Sequence, residues 1–276
     1  MFSNPSFLSV VLLLPSTALG ATLEVPGAFV DVNAALAAAV AGDTIVVSTN
    51  GGTYPAFTVN LDDVTIVAGE TGRITGAYGV GYNASISPQV TIDGGGGLCI
   101  EVTGTQNVTI AGFILTNCSV AINAAQNVGN LYFGNVMYSD DVAAYRSTFE
   151  ESTTFTGNEL RNASGTSDFG VMMDNGERNT ISDNTIRNYA EEGILISAGR
   201  GTTILNNDIQ HTVAYAVRIG ANAERITTAR NLTVNNNSGG VQIEYDAGTT
   251  DGEAVGNNTA NTAINTPGSN SQAQND

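Results

Sequence analysis

Between residues 170 and 243 apolar and polar positions alternate in four short beats. These are Gly170-Val171-Met172-Met173, Gly193-Ile194-Leu195-Ile196, Ala216-Val217-Arg218-Ile219 and Gly240-Val241-Gln242-Ile243, at offsets of 23, 23 and 24. A second column runs through Phe155, Ile181, Ile204 and Ile226, and a third through Leu160, Ile186, Ile209 and Leu232. Three strand-like beats per period of this length predict a solenoid, because each coil is too short to bury its own apolar face. Alternation within a beat predicts strands buried on one side, with Val171, Met173, Ile194, Ile196, Val217 and Ile219 inward. Equivalent strands then stack in parallel, and such crossovers are right-handed in nearly all cases. The fold class expected is all-β: a right-handed parallel β-helix of roughly nine coils.

Two residues before the third column stand Asn135, Asn158, Asn184 and Asn207, with Arg230 taking the next slot. Asparagine tolerates the left-handed conformation of a sharp corner, and stacked side-chain amides can hydrogen-bond along a pile. Upstream, Asp31 is a good N-cap for an alanine-rich helix over residues 32–40, which Gly42 ends. Val32, Leu36 and Val40 give that helix an apolar stripe suited to plugging the open end of a solenoid. Residues 68–89 lack the repeat and predict a protruding loop carrying Tyr78 and Tyr82. Residues 138–152 form the least regular coil, with Asp140, Asp141, Glu150 and Glu151 around Tyr145 and Arg146.

The domain plan is a signal peptide over residues 1–20, an N-terminal strand and capping helix over 21–43, the β-helix over 44–264 and a polar, disordered tail over 265–276. In the first segment Phe7–Leu14 form the apolar centre, Pro15 breaks it, and Ala18-Leu19-Gly20 fits a cleavage site. The protein is therefore expected to be exported, to the outside or the periplasm. No apolar run is long enough to span a bilayer as a helix.

The repeats resemble those of the pectin-lyase-like superfamily of right-handed parallel β-helices over most of residues 44–245. The alanine-rich helix followed by Gly42-Asp43-Thr44-Ile45-Val46-Val47 and Gly52-Thr53-Tyr54 resembles the N-terminal cap of chondroitinase-B-like and alginate-lyase-like members. The resemblance implies the scaffold and leaves the chemistry open, since one such scaffold hosts many reactions.

Charge narrows the partners. The chain carries 26 Asp and Glu against 9 basic residues, all arginine, for a net charge of −17. That balance disfavours nucleic acid, anionic membranes and polyanionic glycans, unless calcium or a local arginine patch bridges the last. Asp62-Asp63 and Asp140-Asp141 are carboxylate pairs that could take calcium with backbone carbonyls; no zinc or copper ligand cluster is present. Cys99 and Cys118, 19 residues apart, are either a disulfide between neighbouring coils or two packed thiols.

Strand alternation places Met172, Leu195, Arg218 and Gln242 on one outer stripe, and Asp174, Ser197, Gly220 and Glu244 on the next. Tyr215 and the only histidine, His211, lie just upstream of Arg218. Arg161 and Arg187 stack one coil apart beyond the third column. This set predicts a carbohydrate-active face. Asp174 or Glu244 would serve as acid or base, His211 as proton carrier and Arg218 as charge stabiliser, while Tyr215, Arg187, Arg161 and Gln242 bind substrate. Against the superfamily's enzymes the motifs are fragmentary. Asp140-Asp141 and Arg218-Ile219 echo polygalacturonase-like hydrolases, but no Lys follows Ile219 and His211 lacks flanking glycines. Pectate-lyase-like and alginate-lyase-like members use a lysine or arginine base, and here only arginine remains. The Asp-Pro-His stretch of mannuronan-epimerase-like members is absent. The expected function is binding or processing of a polysaccharide, as a lyase or hydrolase if catalytic. The alternative is a non-catalytic surface or matrix rod. Open solenoid ends and the Met172–Leu195 stripe leave room for an oligomer.

Overall fold

A computed structural model describes residues 20–49, 52–69, 90–162, 166–234, 236, 241–259, 264–265 and 270–273. The segment expected to be a signal peptide, up to residue 19, and Tyr78 and Tyr82 lie outside these residues. The described chain is a parallel β-solenoid with one helix. Eleven parallel strands stack into the first sheet, from Thr22–Val25 and Thr44–Val47 through Thr154–Thr156, Thr180–Ser182 and Thr203–Leu205 to Glu253–Val255 and Ser271–Ala273. Two further faces complete each coil. One runs through Glu159–Asn162, Thr185–Arg187 and Asp208–Gln210; the other runs through Phe169–Asp174, Ile194–Arg200 and Val217–Glu224.

The core is built from residues in register one coil apart. On the first sheet Ile45, Ile66, Ile110, Tyr132, Phe155, Ile181 and Ile204 lie in one buried line. Each fully buried Ile contributes roughly 1.5–3 kcal/mol. The stacking also aligns the backbone donors and acceptors of successive coils, so a strand too short to persist alone is paired on both edges.

Asp31 caps a helix over Val32–Ala38, its Oδ1 accepting from Ala34 N at 2.8 Å. Val32 and Ala35 pack with Val25, Ile45 and Phe57, so the helix does plug the end. It stops two residues earlier than expected, with Ala39 already extended. Val40 therefore leaves the apolar stripe and stands 63% exposed. Cys99 and Cys118 are joined as a disulfide, Cα–Cα 5.6 Å. At the other end the polar residues assigned to a tail contribute a strand, Ser271–Ala273 pairing with Glu253–Val255. Residues 138–148 of the irregular coil lie in one long strand, Val136–Thr148, whose register slips twice between Met137 and Ala143.

The asparagine column is buried and continues beyond Asn207 through Asn231 and Asn257. In each step Oδ1 accepts from the backbone N–H and the Nδ2 of the preceding asparagine; for Asn184 these distances are 2.9 and 3.1 Å. The left-handed corner is taken by the residue before each ladder asparagine: Gly134, Gly157, Asp183, Asn206, Arg230 and Gly256, at φ between 50° and 62°. Arg230 is thus a corner residue beside the ladder and does not end it.

Three assignments in the last coils shift with it. Thr228 follows Ile204 in the first sheet, and Thr233 follows Ile209, both buried, while Ile226 belongs to the preceding turn and Leu232 faces outward. Ile243, not Val241, follows Val217. The cause is local. Ile196 pairs with Ile219 but Ala198 pairs with Asn222, so one extra residue enters the strand just after Ile219. That bulge accounts for the 24-residue steps from Ile204 to Thr228 and from Ile209 to Thr233; the step from Val217 to Ile243 is 26 residues, with two further residues between Val234 and Ile243.

A carboxyl cluster around Arg218

Arg218 lies on the outward side of Val217–Glu224, as alternation predicts. Its guanidinium joins two carboxyls supplied by other coils. Nε and Nη2 donate to Asp246 Oδ1 and Oδ2 at 3.2 and 3.1 Å, and Nη1 donates to Glu192 Oε1 at 3.4 Å. The Tyr215 ring lies beneath the same group, its centroid 5.9 Å from the guanidinium carbon. The two-pronged grip on Asp246 fixes the plane of the guanidinium, and the aromatic face favours its charge.

The carboxyls differ. Glu192 exposes 4% of its side chain and Asp246 26%. Burial pushes the Glu192 carboxyl above the usual range, and Glu191 adds to that; Arg218 opposes it through its hydrogen bond and charge. Arg218 is itself held more firmly protonated, chiefly by Asp246. The cluster therefore combines a near-buried carboxyl whose pKa is raised, a fixed cation and a partly open carboxylate.

The other expected residues fall in different places. Glu244 is in register with Arg218 on the next coil, sharing its stripe. Asp174 is apart from Arg218: its Oδ1 accepts from Ser197 Oγ at 2.8 Å. His211 sits at a left-handed corner, φ 58°, exposed, its backbone N–H donating to Val234 O. Its imidazole makes no hydrogen bond or ion pair with the described residues. Arg187 is engaged by Asp208, Nη2 to Oδ2 at 2.6 Å and Nη1 to Oδ1 at 3.1 Å, which holds the Asp208 carboxyl below its ordinary value. Arg161 pairs with Glu159 on its own strand. Gln242 is buried, donating to Asn236 O at 2.6 Å, and so cannot line an outer face.

Glu192 and Asp246 were not singled out by sequence, and one of them was within reach. Once Ile243 is aligned with Val217, Glu244 falls beside Arg218 and Asp246 two residues further on the same side. The misplaced register had put Glu244 where Asp246 stands. Glu192 lies in the turn before Gly193, where alternation gives no direction.

Asp62 Oδ1 accepts from Gln106 N and Asp63 Oδ1 from Asn107 Nδ2, both at 2.9 Å. Among the described residues no group of three or more His, Cys, Asp or Glu is placed to hold a metal ion.

Residues 98–261 match the family described as the right handed beta helix region. The chain belongs to that family. Solved structures agree on the scaffold. A polygalacturonase from Erwinia carotovora ssp. carotovora aligns over 95% of this β-helix chain and 80% of its own, with 14% identity and a TM-score of 0.64. An alginate lyase from Paenibacillus sp. str. FPU-7 aligns over 92% and 95%, with 16% identity and a TM-score of 0.60. A periplasmic alginate epimerase aligns over 85% of this chain, at 13% identity and a TM-score of 0.54, and the chain spans 60% of that enzyme's length. At such identities the likeness concerns the fold, which is that of the pectin-lyase-like β-helices. No curated protein matches the chain. Among the described residues no helix is long and apolar enough to cross a membrane.

Proposed function

We propose that this β-helix is an exported protein that binds and processes a polysaccharide on the outer face around Arg218. The observation that carries the proposal is the Glu192–Arg218–Asp246 cluster, with Tyr215 against the guanidinium. A glycan laid on this face meets hydrogen-bonding groups from Arg218 and Asp246 and an aromatic ring for an apolar sugar face. Glu192 supplies a carboxyl whose pKa burial raises, the direction a general acid needs at a glycosidic oxygen. Asp246 offers the second carboxylate that such chemistry uses. The solved neighbours include proteins named for acting on alginate and polygalacturonate, which supports a glycan as partner and an extracellular or periplasmic setting.

One observation favours the non-catalytic rod instead. Asp174 and His211, the proton carriers expected from the sequence, do not join Arg218. The two readings separate in a binding screen of the purified protein on neutral and acidic polysaccharides, with and without calcium, followed by product analysis. Binding with new reducing ends or unsaturated products, lost in Arg218→Ala, supports processing and identifies hydrolase or lyase. Binding without products leaves the rod. Silence on every glycan refutes the proposal and leaves the rod.

A further inference from the structure

Register places one line of outward residues along the solenoid: Thr58, Glu101, Asn123, Arg146, Met172, Leu195, Arg218 and Glu244. Two arginines stand on it. Arg218 is already matched by two carboxyls and carries no spare positive charge. Arg146 is different: it is exposed and forms no ion pair with the described side chains. Every other arginine on a described strand is ion-paired, namely Arg161, Arg187, Arg200 and Arg218. In a chain of net charge −17 an unmatched strand arginine is a local reversal of the surface field.

Its surroundings fit a ligand that runs along the axis. Asn123, one coil before, offers an amide. Met172 and Leu195, the next two coils, are half-buried apolar side chains that form a floor between the arginines. With stacked strands about 4.8 Å apart, three coil steps separate Arg146 from Arg218 by roughly 14 Å. Carboxylates do not crowd the position. On the line itself the nearest is Glu101, two coils back, which accepts from Thr58 Oγ1 at 3.4 Å. Asp174, one coil on and two residues along, is held by Ser197.

We propose that Arg146 anchors an anionic group of the glycan, a carboxylate or sulfate, while the chain lies on Met172 and Leu195 and reaches the Arg218 cluster. This rests on the polysaccharide reading above and adds the substrate class: an acidic glycan, admitted to an acidic protein through the unmatched guanidinium on this line. A planar guanidinium takes a carboxylate or sulfate in two parallel hydrogen bonds, a geometry a lysine ammonium cannot copy.

The test compares wild type, Arg146→Ala and Arg146→Lys by equilibrium binding to polygalacturonate, a sulfated glycan and a neutral glucan, at low and high salt. Arg146 is exposed and unpaired, so the variants should melt as wild type does. The expected result is about tenfold or more weaker binding of an acidic glycan in Arg146→Ala, with a shallower salt dependence, partial recovery in Arg146→Lys, and no change on neutral glucan. Whether the carboxylate or the sulfate glycan shows the loss identifies the group bound. Unaltered acidic-glycan affinity in Arg146→Ala, or wild type preferring the neutral glucan, overturns the role of Arg146 while leaving the polysaccharide reading intact. Failure of wild type to bind any glycan overturns that reading and this inference with it.

Discussion

Arg218 Nη1 lies 3.4 Å from Oε1 of Glu192, a side chain 4% exposed, and no other cation pairs with that carboxyl among the described residues. A charge so little solvated depends on its partner. Replacing one member of such a pair costs more than replacing both, because the survivor is left uncompensated. Arg218→Ala should therefore push the Glu192 carboxyl further up and destabilise the fold, whereas Arg218→Ala with Glu192→Gln should recover part of the loss. Urea unfolding of the two single variants and the double checks this. A double variant as unstable as the sum of the singles would mean that the two side chains are not coupled.

Asn184 is the centre of the internal ladder. Its Nδ2 donates to Asn207 Oδ1 and Phe155 O, and its Oδ1 accepts from Asn158 N and Nδ2. Truncation leaves several of these buried groups unpaired, at roughly 1–3 kcal/mol each. Asn184→Ala is expected to lower the unfolding free energy by at least about 3 kcal/mol. By contrast Asn206→Ala, at the exposed corner one residue earlier in the next coil, should cost much less. Denaturant midpoints of the two variants measure the difference.

A second buried carboxyl, Glu150, sits inside the solenoid. Asn127 Nδ2 donates to its Oε1 at 2.6 Å, Tyr132 OH reaches the same oxygen at 3.5 Å, and Tyr145 OH donates to Oε2. Burial raises the carboxyl, and these donors only partly offset the shift. Below the unfolded value, about 4.3, Glu150 is protonated in both states and imposes no penalty. As pH rises towards the folded value the unfolded chain releases its proton first, so stability falls with pH. Glu150→Gln removes that fall. The stability of the variant relative to wild type should thus improve as pH rises from about 4 towards the folded value and level off above it; parallel curves from urea melts across this range would contradict it.

The architecture was legible because its signals are local and repeated. The alternation at Val171, Ile194 and Val217, the 23-residue spacing and the Asp31 cap all held in the structure. The line of sight failed after Ile219. One residue inserted in that strand moved the ladder from position 230 to Asn231, gave Ile226's column place to Thr228 although Ile226 stays buried, and put Thr233 inside in place of Leu232. A side chain's hydrophobicity is a poor guide once the register has slipped, since threonine packs inside when its neighbours do. Two more residues between Val234 and Ile243 hid Asp246. Glu192 was illegible for another reason: it stands in a turn, and only the stacking of coils brings it beneath Arg218. The sequence's other candidates, Asp174 and His211, were near Arg218 in the chain or in the repeat, yet strand direction and corner geometry carry them elsewhere.

The central claim is that Glu192 acts as a proton donor on a glycan held at Arg218, and the rate of product release by Glu192→Gln tests it most directly. The substitution keeps the side chain's size and its hydrogen bond from Arg218 but removes the transferable proton. On the polysaccharide that wild type processes, Glu192→Gln should bind with little change and release product at least about a hundredfold more slowly. Release at the wild-type rate would contradict the account.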